Sequence, residues 1–397
     1  MMFSFISKIK SNLYLFLLIL IFIGAAKLVV SLKTSDKILE FGYPLEIYET
    51  QSKDGYMLGL ERIPHSRNVN KTSKIGKPVL MVHGLYGTSM LFAAVNTSQA
   101  YALSDAGYDV WLMNFRLSGI SKLIKDPKSG IIPPLQNVSW DFSMEELAIY
   151  DLTASIDYVL NITGYEKLDL TGFSLGNTII LIALSELPEY QNKVNKIVMI
   201  VPTTRMKTYH APAWRMYFLI KLRIKGEKYI PKLPDYDNQI FGYNCMKNNL
   251  FWKYYCRNVV NSVQGISLPY NRKALELLKV YPQPTAVKVL FHVYQHIRSD
   301  HFCKYDYGPI QNIKYYNSTV PPDYDLTKII VPSYILHSKI DSTATPEDIK
   351  WLVNQLPNVK KTRFIKEARH SHLGIIINSE ANKITNNFMV QSLNDNS

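Results

Sequence analysis

The chain has 397 residues, 47% of them hydrophobic and 19% charged, which excludes a disordered chain and allows a sizeable core in one enlarged α/β domain or two domains. Three cysteines exclude a disulfide scaffold and supply no CxxC pair for a structural zinc site. The formal net charge of +13 comes with no basic-aromatic nucleic-acid module, so no nucleic-acid partner is expected, and attraction to anionic lipid surfaces is the other generic meaning of the charge.

Residues 1–26 read as a separate segment. Lys8 and Lys10 precede an unbroken apolar run from Leu13 to Ile23, then Gly24-Ala25-Ala26. This pattern predicts a cleavable signal peptide. Leu28, Val29 and Val30 continue the apolar stretch past Lys27, so a signal anchor is the alternative. Cleavage would take the charge from +13 to +11. On a secretory route the Asn-x-Ser/Thr triplets at Asn70, Asn96, Asn137, Asn161 and Asn317 become glycan acceptors. Asn161 and Asn317 lie in expected loops and are the preferred candidates.

Lys77 to Val82 (KPVLMV) predicts a buried strand, followed by the turn HGLYG that opens at His83. Tyr108 to Asn114 predicts a second strand. Ser143-Met-Glu-Glu146 is a capping box, and Leu152, Ile156, Val159 and Leu160 form the apolar face of the helix it starts, which stops at Gly164. Lys167 to Phe173 predicts the next strand. Thr178 to Leu187 predicts an apolar helix ended by Pro188, and Lys196 to Val201 another strand. Ile329 to His337 and Thr362 to Ile365 predict strands, with a helix between them capped by Thr345 and opened by Pro346.

Strands alternating with helices imply a mostly parallel sheet. The alternation fails over 203–327, which is rich in Tyr, Trp and Phe. This stretch reads as a cap or lid inserted between a first core part, 27–202, and a second, 328–397. From Thr203 to Gly226 it holds no acidic residue, and Arg205, Lys207, Arg215, Lys221, Arg223 and Lys225 interleave with Trp214, Tyr217, Phe218 and Leu219. Cations beside aromatics suit a lipid surface.

Gly172-Phe173-Ser174-Leu175-Gly176 fits G-x-S-x-G. The pattern alone is weak, but it falls at the junction of a predicted strand and a predicted helix, where a nucleophile elbow belongs. Ser174 is then the candidate nucleophile, and the Leu175 N–H at the helix start a candidate oxyanion donor. A serine needs a base and an orienting acid, which in this arrangement follow in the order Ser, Asp, His. Asp341 lies after a strand, at the loop end. Asp348, inside the following helix, is better explained as charge stabilising the helix dipole. His370 and His372 both follow the last predicted strand, and loop position leaves the choice between them open. After the first long strand, the Leu85 N–H is the candidate second oxyanion donor, and His83 is expected to brace the turn. No metal or cofactor is needed.

These segments, with a series of short matches in order, resemble the acid lipases, the gastric and lysosomal lipases and their insect relatives. The matches include Gly42-Tyr43-Pro44, Ser52-Lys-Asp-Gly-Tyr56, Glu61-Arg-Ile-Pro-His65, His83-Gly-Leu85, Asp105-Ala-Gly-Tyr-Asp-Val-Trp111, Tyr150-Asp151-Leu152, Tyr305-Asp-Tyr-Gly308 and Leu356-Pro-Asn358. The resemblance implies an α/β-hydrolase fold with an inserted lipid-covering cap. It also implies hydrolysis of triacylglycerols or steryl esters by Ser174, Asp341 and His372, with oxyanion donors at Leu85 and Leu175. Ser371-His-Leu373 resembles the family's Asn-His-Leu, which selects His372, and His370, with Arg369 beside it, is expected to be exposed. A secreted or lysosomal location follows, with lipid esters met at a membrane or lipid-droplet surface. The chain departs from the family at GFSLG, where GHSQG is usual, and at His372-Leu-Gly-Ile375, where His-Leu-Asp-Phe is usual. These departures leave a short-chain carboxylesterase or a weakly active lipid-binding relative as alternatives.

Cys245 and Cys256 lie close together within the expected cap, and the secretory route is oxidising, so they are the candidate disulfide, with Cys303 free. In the chain-entropy model such a loop stabilises the fold by about 3 kcal/mol. Thiol titration of the unfolded, unreduced protein is expected to find one reactive thiol; three would exclude the bond.

Overall fold

The structure is a computed structural model. It describes residues 32–68, 76–123, 130–133, 138–209, 277, 279–366 and 370–396, with 229–230, 250–251 and 254 between them. The expected signal segment, Asn70, Asn137, Trp214, Lys221, Arg223, Lys225 and the candidate pair Cys245 and Cys256 lie outside the described residues. Cys303 is buried and in no disulfide.

The sheet begins with a hairpin that the sequence signals did not predict, β1 (Glu46–Gln51) and β2 (Met57–Ile63). Then follow β3 (Pro78–Val82), β4 (Asp109–Met113), β5 (Leu168–Phe173) and β6 (Val194–Ile200). A short antiparallel pair, β7 (Tyr229–Ile230) and β8 (Thr285–Ala286), stands apart from the main sheet. The sheet closes with β9 (Ser333–Ser338) and β10 (Val359–Ile365). Its eight strands run in the order β1-β2-β4-β3-β5-β6-β9-β10. The β1–β2 and β2–β4 pairs are antiparallel, and every other neighbouring pair is parallel. β3, β4, β5 and β9 are buried along their whole lengths, which is why they read as continuous apolar runs rather than alternating ones. β9 starts later than the expected Ile329, because Pro332 has no N–H to give the ladder.

The local signals set the helix starts. Ser143 caps its helix, with the Ser143 N–H donating to the Glu146 carboxylate at 2.6 Å and its hydroxyl accepting from the Glu145 N–H. That helix runs through a π-helical stretch, Leu147–Leu152, into Thr153–Thr163, and stops at Gly164, which adopts φ +70°. Thr345 caps the helix Pro346–Gln355. The helix Leu175–Glu186 is buried over nearly its whole circumference and ends before Pro188. Between β6 and β9 the described residues include the helices Val287–Ser299 and Pro309–Tyr316.

Two expectations need correcting. Asn161 is not in a loop: it occupies the last turn of the helix Thr153–Thr163, on its exposed side, where a polar residue suits the solvent face. Asn317 ends the helix Pro309–Tyr316 in a left-handed conformation and is exposed. Asp348 does more than stabilise a helix dipole. It is buried, it accepts from the Thr208 N–H at 3.1 Å, and it pairs with Arg205 at 3.2 Å, so it ties the chain just after β6 to the helix after β9.

One buried cation ties the sheet edge to the helical layer. Arg116, just past β4, is 3% exposed. Its guanidinium donates to Asp151 Oδ1 at 2.6 and 2.8 Å and to both oxygens of Asp54, in the β1–β2 turn, at 2.7 and 2.9 Å. The Arg116 N–H donates to Asp151 Oδ2 at 2.8 Å, and the guanidinium lies 3.9 Å from the centre of the Tyr56 ring. Asp151 is fully buried, so removing Arg116 would leave a carboxylate without its counter-charge. Arg116→Met is expected to lower stability by about 3–5 kcal/mol in urea titration, and adding Asp151→Asn to restore part of the loss.

Candidate active site

Ser174 sits between β5 and the helix Leu175–Glu186, at φ +53° and ψ −120°. This left-handed conformation is costly for a residue with a side chain, on the order of 1–3 kcal/mol. It persists because the turn is tied at several points. The Ser174 N–H donates to the Ile200 carbonyl on β6 at 3.1 Å, and the Asn177 N–H closes the first turn onto the Ser174 carbonyl at 3.0 Å. Asn177 Nδ2 donates to the same Ile200 carbonyl at 2.8 Å. Gly176 has no room for a side chain, since a Cβ there would collide with the Val82 carbonyl oxygen at the end of β3.

The structure brings Ser174, Asp341 and His372 together. His372 Nε2 is 2.7 Å from Ser174 Oγ, and His372 Nδ1 is 2.8 Å from Asp341 Oδ2. Asp341 Oδ1 accepts from the Thr343 and Ala344 N–H groups, each at 2.8 Å. An ionised carboxylate only accepts, so Nδ1 carries the imidazole proton and Nε2 is left to accept from the serine hydroxyl. All three residues are buried, with Ser174 at 8%, His372 at 6% and Asp341 at 1% exposure. The Phe173 ring lies 5.3 Å from the imidazole and walls its side.

His370 is not in this chain of hydrogen bonds. It is also not exposed, as its neighbour Arg369 suggested, but 2% exposed. The buried run Leu373, Ile375, Ile376 and Ile377 packs into the core and draws the segment before it inward, His370 included.

The turn after β3 supplies the other wall. Gly84 packs against Ser174, with room for a Cβ only 3.2 Å from the serine Cβ. The Gly84 carbonyl accepts from His83 Nδ1 at 2.9 Å and from the Gly87 N–H at 3.1 Å. Carbonyl and N–H point in opposite directions across a trans peptide, so fixing the Gly84 carbonyl fixes the Leu85 N–H on the other side. His83 Nε2 accepts from the Phe115 N–H at 3.3 Å, which settles the tautomer. Burial lowers the His83 pKa to about 4, so the ring is neutral above that pH and holds both bonds. Leu175 opens its helix directly after Ser174 and is 5% exposed, its N–H among those left without an intrahelical acceptor.

Some neighbours carried no sequence signal. The Gln283 N–H, between two prolines, donates to the Tyr86 carbonyl at 2.9 Å and so ties the turn to the segment after residue 203. Tyr209 lies near Asp341; burial first and the Asp341 charge second raise its pKa to about 12. A cavity of about 30 Å³ next to Leu175 is lined by apolar residues, Leu85, Tyr86, Phe142, Leu147, Leu175 and Val289 among them, and by the polar His83, Arg116, Ser118 and Thr285.

Comparison with known proteins gives the fold and the family. A family model described as "alpha/beta hydrolase fold" matches residues 77–238, and one described as "Partial alpha/beta-hydrolase lipase region" matches 34–96. Gastric triacylglycerol lipase of Mus musculus is 32% identical over 355 residues, 86% of each chain. Lipase member K of Homo sapiens is 31% identical over 86% of each chain. Lipase 1 of Drosophila melanogaster is 29% identical over 91% of this chain and 80% of its own. Among solved structures, one from Sulfolobus solfataricus has a TM-score of 0.58 at 14% identity, over 88% of this chain and 93% of that one. A soluble variant of monoglyceride lipase from Saccharomyces cerevisiae has a TM-score of 0.52 at 15% identity, over 88% and 94%. The chain belongs to the acid lipase family of α/β-hydrolases.

Proposed function

We propose that this protein is a secreted lipid ester hydrolase that cleaves triacylglycerols or steryl esters through Ser174, His372 and Asp341. The observation that carries this reading is the continuous hydrogen-bonded chain from Asp341 Oδ2 through His372 to Ser174 Oγ at the strained turn. The kinship with lipases supports a lipid substrate.

In the first half of the reaction, His372 Nε2 takes the Ser174 proton while Oγ bonds to the ester carbonyl carbon. The carbonyl electron pair moves onto oxygen, and the Leu85 and Leu175 N–H groups hold the resulting oxyanion. The tetrahedral species then expels the alcohol, which leaves with the proton from Nε2. Water repeats the sequence on the acyl-enzyme: it gives one proton to His372, its oxygen bonds to the acyl carbon, and Ser174 leaves with that proton. Asp341 stays ionised throughout and stabilises the imidazolium. In this reading segment 203–327 serves as the cap, and its described residues Gln283 and Arg205 contact the core.

The departures from the family pattern at GFSLG and at His372-Leu-Gly-Ile375 favour one second reading, a carboxylesterase for short acyl chains. Hydrolysis of emulsified long-chain triacylglycerol against soluble p-nitrophenyl butyrate separates the two. A lipase prefers the emulsion, and an esterase the soluble ester.

Ser174→Ala is expected to fold normally and to lose turnover by a factor on the order of 10³ or more. Retention of a tenth of wild-type turnover would remove Ser174 as nucleophile. His372→Ala is expected to show a loss of the same order, while His370→Ala keeps turnover per folded molecule and lowers the melting temperature through its buried position. Loss of turnover confined to His370→Ala would overturn the assignment.

A further inference from the structure

Strand β10 closes one edge of the sheet: it pairs with β9 alone and stands last in the strand order. The stretch 349–366 holds no acid and five cations, Lys350, Lys360, Lys361, Arg363 and Lys366; Glu367 follows, with Arg369 two residues on. Lys339 joins them at the C-terminal end of β10, where its N–H donates to the Ile365 carbonyl at 3.0 Å. Lys339, Lys360, Lys361 and Lys366 are exposed, and Arg363 is half-buried. Among the described residues none of these five has an ion-pair partner, whereas Lys193 and Lys328, elsewhere on the surface, pair with Asp157 and Asp325. Lys360 and Lys366 leave the strand on one face, Lys361 and Arg363 on the other. At an edge both rows border the same open side, and these side chains are long enough to turn toward it.

Charges on an edge strand also guard it against pairing with another strand. Guarding leaves the sign open: the opposite edge, β1, carries Glu46 and Glu49. Five cations gathered without a carboxylate among them therefore need a further reason. Like charges held this close repel one another, and an anionic partner removes that repulsion.

The make-up of the edge chooses the partner. From Lys360 to Lys366 the row is straight and spans about 20 Å at the rise of an extended strand, so a linear polyanion can follow it. It offers no free apolar anchor. Phe364, the exposed large hydrophobic residue of β10, has its ring 4.9 Å from that of His337. A lipid surface calls for apolar side chains beside the cations, and single-stranded nucleic acid for aromatic faces on which bases stack. An extended peptide would have to pair with the strand edge that the lysines guard. A polyanion whose charges sit on a hydrophilic chain needs none of these. We propose that Lys339, Lys360, Lys361, Arg363 and Lys366 bind a linear sulfated polysaccharide along the edge of the sheet. Secretion, as proposed above, would bring the chain to such polymers. The binding does not depend on the proposed hydrolase activity, because Asp341 and His372 are buried beneath the surface that the polymer would follow.

The test measures binding of the full chain to heparin by titration over a range of salt concentrations. The wild type is expected to bind, with an affinity that falls steeply as salt rises. Lys360→Gln with Lys361→Gln and Arg363→Gln is expected to weaken binding by about tenfold or more at about 0.15 M salt. The slope of log affinity against log salt is expected to drop by about three, one counterion for each lost cation. A control variant with the same net charge, Lys53→Gln with Lys167→Gln and Lys314→Gln, removes exposed lysines elsewhere and is expected to bind as the wild type does. Both variants are expected to keep the wild-type melting temperature; if the first does not fold, Lys360→Gln with Lys361→Gln alone is expected to lower the slope by about two. Absence of heparin binding in the wild type would overturn the proposal. So would binding that survives the edge substitutions, or an equal loss in the control variant, which would reduce the effect to net charge. Tighter binding of single-stranded RNA than of heparin, lost in the same edge variant, would overturn the choice of polysaccharide. Hydrolysis of p-nitrophenyl butyrate is expected to be the same in all variants, and its absence in the wild type would count against the catalytic reading alone.

Discussion

Strands β3 and β5 end side by side, and their chains approach so closely there that one position admits only glycine and a second leaves a side chain little room. Gly176 lies against the Val82 carbonyl, and Gly84 against Ser174. From this contact the rest of the site follows. The chain has one residue in which to turn from β5 into its helix, so Ser174 takes φ +53° and projects from the turn. One carbonyl, that of Ile200, receives both the Ser174 N–H and the Asn177 side chain, and it belongs to β6, on the far side of β5 from β3. The strained residue is therefore held by strands on both flanks, and the parallel order β3-β5-β6-β9 also delivers Asp341 to the same edge. The energy stored at Ser174 is offset by ladder bonds that the sheet makes in any case.

The turn after β3 depends on a histidine that stays neutral and on ions that stay paired. His83 would lose its bond from the Phe115 N–H on protonation, and burial holds its pKa near 4. Phe115 is in turn next to Arg116, which is fixed by Asp54 and Asp151. A second buried cation, Arg62, pairs with Asp109 at 2.8 Å, which also accepts from Trp111 Nε1 at 2.9 Å, and so links β2 to β4. Tyr43 and Ser66 both donate to Asp105, at 2.8 and 2.6 Å. Most of these residues fall within the short family matches; Ser66, Phe115 and Arg116 lie outside them. Buried polar groups of this kind cannot be exchanged one at a time without cost, because each removal leaves its partner desolvated.

Much of this was legible in the sequence because the relevant signals are local. Ser143 with Glu146, and Thr345 with Pro346, state where helices begin. The apolar runs of β3, β4 and β5 state which strands are buried on both faces, and the candidate acid and base lie at strand ends. What was not legible depends on partners distant in sequence. The β1–β2 hairpin carries Glu46, Tyr48 and Thr50 alternating with exposed residues, a pattern too polar to announce a strand until β2 and β4 lie beside it. The helix Pro309–Tyr316 was hidden because its apolar residues face outward. His370 was misjudged from its neighbour Arg369, whereas the packing of Leu373 to Ile377 decides its burial.

The altered turn GFSLG changes how the proposed oxyanion site is held. In the usual family turn a glutamine follows the serine and can hydrogen-bond to its surroundings; Leu175 offers only its backbone N–H there. Phe173 replaces a second polar side chain and lies against His372 and under Gly84. Both changes put an apolar side chain beside Ser174 in place of a polar one. A lower local dielectric strengthens a backbone N–H toward a developing negative charge, and it equally raises the cost of an N–H that is misaimed. Precision then has to come from the other donor. The Leu85 N–H has that precision, because the Gly84 carbonyl on the opposite side of its peptide is fixed twice, by His83 and by Gly87. Under the proposed mechanism that donor is aimed by a neutral histidine and a glycine turn, and the pH at which His83 would take up a proton bounds the range over which that geometry holds.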